Sequence, residues 1–95
     1  MKLLSSGREF LTLGTSDTSA GGVLEVSFDD ATTWHPLEEV DATHARVLVA
    51  GPDAESNPVD TVVLPIGSYE VLVRWTIDQE ATIREAPDHL HITTD

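Results

Sequence analysis

Across residues 69–77 every odd position is apolar: Tyr69, Val71, Val73, Trp75 and Ile77. Ser68, Glu70, Arg74 and Thr76 alternate with them, and Leu72 is the exception. A period of two predicts a half-buried β-strand, because successive side chains leave opposite faces of a sheet. The same reading gives strands over residues 8–13, 23–28, 34–37, 61–64, 81–85 and 89–93. Residues 46–50 form a continuous apolar run after Arg46, which predicts a strand covered on both sides. Small and polar residues make 14–22 a loop, 38–43 reads as an acidic connection, and 51–60 reads as the mobile tip. Seven to eight short strands and no amphipathic helix predict an all-β, antiparallel β-sandwich. Residues 1–7 are expected to be an N-terminal arm, and residues 8–95 a single sandwich domain.

The lead-in to the long strand, Leu64-Pro65-Ile66-Gly67, is turn chemistry. Pro65 fixes φ near −65° and Gly67 can take φ > 0. A tyrosine opening a strand just after such a turn resembles the tyrosine corner of immunoglobulin-like and fibronectin-type sandwiches. That resemblance implies a hydrogen bond from Tyr69 to backbone a few residues upstream. It also places Val71 where antibody-type domains carry a disulfide cysteine. A second stretch, Ser27-Phe28-Asp29-Asp30-Ala31-Thr32-Thr33-Trp34, resembles an Asp-box hairpin, with Ala31 where that motif has glycine. The resemblance implies that the Asp29 side chain bonds turn backbone and that Trp34 packs beneath it. One copy cannot build a propeller, which needs several blades. Trp34 and Trp75 are therefore expected to be structural, core residues.

Length and charge narrow the function. Ninety-five residues suffice for one core but leave no room for a cleft between domains. Cysteine is absent, so neither a disulfide nor a thiolate zinc site contributes. No stretch reads as a leader or a membrane span, and a soluble protein is expected. Seventeen acidic residues face five basic ones, for a net charge of −12. Nucleic acid and anionic membrane are excluded as expected partners, since binding them draws on clustered Lys and Arg.

Candidate chemistry is sparse. His89 and His91 fall on one strand face beside Asp88, and a third metal ligand would have to come from His35 or His44. That spacing matches no familiar metal signature, so no metal and no cofactor is expected. Asp29/Asp30 and Glu38/Glu39 are neighbours that a strand would point apart, and no catalytic set is expected from them. The chain is read as not an enzyme. Leu72 and Arg74, with Arg46 and Leu48, would make an amphipathic spot on an acidic body, a composition that suits a protein contact. Leu3, Leu4 and Arg8 complete the expected partner-binding set: the arm and its neighbouring edge strand would lie against another subunit, and deleting residues 2–7 would leave the fold intact.

The segments Val26-Ser27-Phe28-Asp29-Asp30 and Gly67-Ser68-Tyr69-Glu70-Val71, in a chain that is one sandwich, resemble the immunoglobulin-like head decoration proteins of tailed-phage virions. Membership would imply a non-enzymatic accessory protein, many copies per particle, bound to virion subunits outside the head and assembled in the host cytoplasm. The alternatives are a tail or head-tail accessory protein, or a carbohydrate-binding module whose partner is a glycan. Exposure of Trp34 and Trp75 separates the last from the others.

Overall fold

The computed structural model describes residues 1–15 and 21–95. The chain is all-β, and its strands form three sheets among the described residues. In order they are β1 (Lys2–Leu4), β2 (Arg8–Gly14), β3 (Val23–Ser27), β4 (His35–Pro36), β5 (Glu38–Asp41), β6 (His44–Ala50), β7 (Val62–Val63), β8 (Gly67–Tyr69), β9 (Leu72–Ile77), β10 (Glu80–Glu85) and β11 (Leu90–Thr93). One sheet runs β2-β6-β5, with β7 beside β6. The other two run β1-β11-β8 and β10-β9-β3-β4. Pairing is antiparallel except for β1 with β11 and β6 with β7.

Chain continuity joins those last two sheets. Tyr69 pairs with Leu90, and Leu72 pairs with Glu85. Glu70 and Val71 therefore stand opposite the longer segment 86–89, a bulge that breaks the strand expected over residues 69–77 into β8 and β9. Pro87 accounts for the break, since it has no N–H to give the ladder. Val71 still points inward, fully buried, and its carbonyl accepts from the Ala86 N–H at 2.8 Å.

Alternation drives the packing. Leu11 and Leu13 of β2 and Val47 and Val49 of β6 meet Val26, Val71, Leu90 and Ile92 across the sandwich. Burying such a side chain stabilises by roughly 1.5–3 kcal/mol. Residues 46–50 are not covered on both sides: Val47 and Val49 are buried, whereas Arg46 and Leu48 are half-buried on the outer face. The acidic stretch 38–43 is not a mere connection. Its first four residues form β5, paired to β6 with an irregularity between Glu39 and Asp41. All four are exposed, so no hydrophobic alternation marked the strand. The strand expected over 34–37 shrinks to His35–Pro36, and the expected loop 14–22 lies partly outside the described residues, with Gly14 ending β2.

Residues 1–7 lie in the fold. β1 pairs with β11 in register Leu3↔Ile92, and Leu3 is 2 % exposed inside the core. The Met1 amino group donates to the His89 carbonyl at 2.8 Å, and the Met1 carbonyl accepts from His91 N–H at 2.9 Å. The Asp53 N–H reaches the Ser5 carbonyl at 2.9 Å. The Asp95 carboxylate accepts from the Ser5 and Ser6 hydroxyls and from the Ser6 N–H. The reason is plain in the packing: Leu3 fills core volume over Ile92, and an arm held away would leave that volume open.

Candidate functional site

The turn after β3 is held by its own side chains. Ser27, fully buried, donates from Oγ to Asp29 Oδ1 at 2.8 Å and accepts from Ala31 N–H at 3.1 Å. The Thr33 N–H donates to the same Asp29 oxygen at 2.8 Å. Those donors, the Thr33 N–H first, lower the Asp29 carboxyl from 3.8 to about 2. This is the backbone staple implied by the Asp-box resemblance. Asp30 and Ala31 sit at φ +57° and +65°, so the left-handed turn persists although Ala31 has replaced the glycine.

The tryptophan of that turn is not a core residue. Phe28 takes the buried place, and Trp34 is half-exposed with the Arg74 guanidinium 4.2 Å from its ring centre. Arg74 Nη2 and Nε both converge on Glu25 Oε1, at 2.8 and 3.3 Å. The ladder sets Glu25, Arg74 and Ile83 in one row across β3, β9 and β10. Val23 and Leu72 flank that row on β3 and β9. Val23 is 57 % and Ile83 50 % exposed, and Leu72 is half-buried. The outer face of this sheet therefore carries an apolar rim around a stacked Trp–Arg pair fixed by a carboxylate. A guanidinium over indole contributes about 0.5–1 kcal/mol at such an exposed site. Trp75 is also only half-buried, and its indole N–H donates to the Gly21 carbonyl at 3.0 Å.

The remaining expected site residues scatter. Leu72 and Arg74 belong to this face, but Leu48 and Arg46 stand on the outer face of the β2-β6-β5 sheet, across the core, so the four do not form one spot. There Arg46 lies 3.9 Å from the Phe10 ring centre and pairs with Glu38 at 3.2 Å. Leu3 is enclosed and Leu4 is 48 % exposed on the other side of β1. Arg8 turns back on its own chain, donating to the Glu55 and Ser56 carbonyls and to Asn57 Oδ1 at 3.1–3.3 Å. It thereby pins the loop that was expected to be the mobile tip. Tyr69 donates to the Pro65 carbonyl at 2.6 Å, and partial burial raises its phenol above 10.0. Gly67 has φ +158°, nearly extended, and lies against the Tyr69 ring.

The histidines follow the same pattern. His89 and His91 share a face with ring centres 6.4 Å apart, while Leu90 and Ile92 are buried opposite. His44 binds Asp41 at 3.0 Å and His35 tilts against Phe28, so neither joins them. The bulge instead sets Glu70 and Glu85 around His89, with one potential ligand atom from each within 4.8 Å of the others. The donors suit a divalent cation, but all three side chains are exposed, and His89 Nε2 already lies 3.5 Å from Glu85 Oε1. Sequence reasoning passed over Glu70 and Glu85 because only the two-against-four register of the bulge brings them together.

Comparison with protein-family models, with curated proteins and with solved structures gives no match for this chain.

Proposed function

We propose that this chain is a non-catalytic attachment module, an immunoglobulin-like sandwich that docks on a protein lattice. In the form the phage resemblance implies, it decorates the outside of a tailed-phage head in many copies. Strand order supports the fold assignment. With β2, β6 and β5 as B, E and D, and with β3, β8–β9 and β10–β11 as C, F and G, the two layers follow the immunoglobulin order. Tyr69 then stands at the start of F, the corner position. The net charge of −12 supports an outside location, since packaged DNA would repel such a body.

One observation carries the docking function: the outer face of Val23, Trp34, Leu72, Arg74 and Ile83. Trp and Arg dominate binding energy at protein interfaces, and exposed apolar patches rimmed by polar residues mark them. The Arg74–Glu25 pair preorganises the stacked ring, so less side-chain freedom is lost on contact. The glycan alternative draws on the half-exposed Trp34, but Arg74 occupies one face of that ring, which a stacked sugar would need. The test is co-sedimentation with particles assembled without this chain. Wild-type protein is expected to saturate them, and Ile83→Glu and Arg74→Ala to lose occupancy while keeping their unfolding midpoints near wild type. Equal occupancy for all three would remove this face as the contact. Binding to a glycan array but to no virion component would overturn the structural reading in favour of the lectin one.

A further inference from the structure

A groove runs along the flank of the sandwich, between β2 on one side and β10 with the bulge on the other. One part, of about 400 Å³, is floored by Leu13, Leu24, Val73 and Trp75 and walled by Thr82 and Pro87. A second part, of about 320 Å³, continues past Leu13, Gly14, Ala86 and Pro87 to Leu11 and Val71. Its wall is a free sheet edge, since β2 pairs only with β6 among the described residues. Gly51 N–H donates to Gly7 O, and Thr15 N–H to Thr43 O, at the two ends of that pairing. Hydrogen-bonded and non-bonded pairs alternate along an antiparallel ladder. The N–H and C=O groups of Phe10, Thr12 and Gly14 therefore face off the sheet, toward an added strand. Natural edges are usually blunted by charge, proline or a covering element. From Phe10 to Gly14, β2 has no charged residue and no proline. Thr15 Oγ1, which lines the groove, is buried without a hydrogen-bond partner among the described residues.

We infer that this groove is a second docking site, which takes an extended, basic segment of a partner protein as an added strand on β2. Alternate apolar side chains of that segment enter the groove, and its backbone completes the edge-facing groups of Phe10, Thr12 and Gly14. Charge decides the kind of occupant. The body carries −12, while at the groove rim Glu85 and Asp88 stand against Arg84 and the Met1 amino group, so the field of the whole body decides. A second copy would bring an equally acidic body to the same edge, whereas a lysine-bearing segment is drawn to it. The inference goes beyond the proposed function, because no residue of the Trp34–Arg74 face lines the groove.

The probe is a short synthetic peptide alternating valine and threonine with lysines at both ends. Its binding is read from Trp75 emission in the Trp34→Phe background. Saturable binding with a blue shift is expected. Thr12→Pro removes an N–H that faces the free edge and leaves the ladder to β6 in place, so it should weaken binding by about tenfold or more. Thr82→Trp is the second variant, because Thr82 is an exposed wall residue opposite Trp75 and a larger ring there would fill the groove. It should weaken binding comparably, while Arg74→Ala leaves the affinity unchanged. Absence of binding, equal binding by a lysine peptide lacking valine, or indifference to both groove variants would overturn the inference. So would concentration-dependent dimerisation abolished by Thr82→Trp, which would make a second copy the occupant. Loss of particle attachment with intact peptide binding, or the reverse, tells the two sites apart.

Discussion

The edge around β1, β11 and β8, with one parallel and one antiparallel pairing, and the antiparallel hairpin of β9 and β10 adjoin the same bulge, yet they are held very differently. At the edge, Leu3, Leu90 and Ile92 are sealed in the core, and Met1, Ser5, Ser6 and Asp95 tie the two chain ends together. In the hairpin the ladder is complete, but every residue of β9 is half-buried and every residue of β10 exposed. Ladder hydrogen bonds net only about 1 kcal/mol each, so burial separates the two regions. A region with full pairing and little burial opens at low free energy and is available for partners. The groove and the Trp34–Arg74 face both adjoin that hairpin.

The largest expected effect breaks or keeps this contrast. Leu3→Ala should destabilise the protein by about 3 kcal/mol, through lost burial plus the cavity left beneath β1. Urea unfolding would measure it. A wild-type midpoint for Leu3→Ala would return residues 1–7 to the status of a free arm and dissolve the comparison. Tyr69→Phe, also at the tied edge, should cost about 1 kcal/mol for the bond to the Pro65 carbonyl. No change there would leave the corner hydrogen bond without a stabilising role.

How far the sequence carried follows from the same contrast. The all-β class, the Tyr69 hydrogen bond to upstream backbone and the staple from Asp29 were legible, because each rests on period-two patterning or on bonds within a few residues. The place of Leu3 was not, since three residues show no periodicity and their partner Ile92 lies at the far end of the chain. Neither was the exposure of Trp34 and Trp75. Alternation says which side of a strand a residue takes, but not whether another layer covers that side. The Glu25–Arg74–Ile83 row depends on register across three strands, which no local pattern encodes.

Smaller effects test the turn that carries Trp34 to the outer face. Ala31→Gly should stabilise by about 0.5 kcal/mol, the relief of a left-handed Cβ less glycine's larger unfolded-state entropy. Destabilisation would mean that the Ala31 methyl group makes a contact worth more than its strain. Acid tests the staple. A carboxyl lowered in the folded state contributes stability in full above its ordinary value near 3.8, and loses it as pH falls toward about 2. The Asp29 carboxyl shift followed by NMR should titrate with a midpoint near 2, with Trp34 emission changing alongside. Titration at an ordinary carboxylate value would show the staple to be open in solution.

The smallest expected effect on stability sits in the hairpin and sharpens the comparison most. Ile83 is half-exposed on β10, opposite Arg74 and outside the core cluster. Ile83→Ser removes apolar area that solvent already reaches, so the unfolding midpoint should move by no more than about 0.5 kcal/mol in free-energy terms. The same change removes the apolar neighbour of the Trp34–Arg74 stack, so attachment to particles should fall while the fold stands. That separation of stability from binding is what a lightly buried docking surface requires. A loss of several kcal/mol instead would mean that the hairpin is packed as tightly as the edge, and that Ile83 supports the sandwich and not a partner.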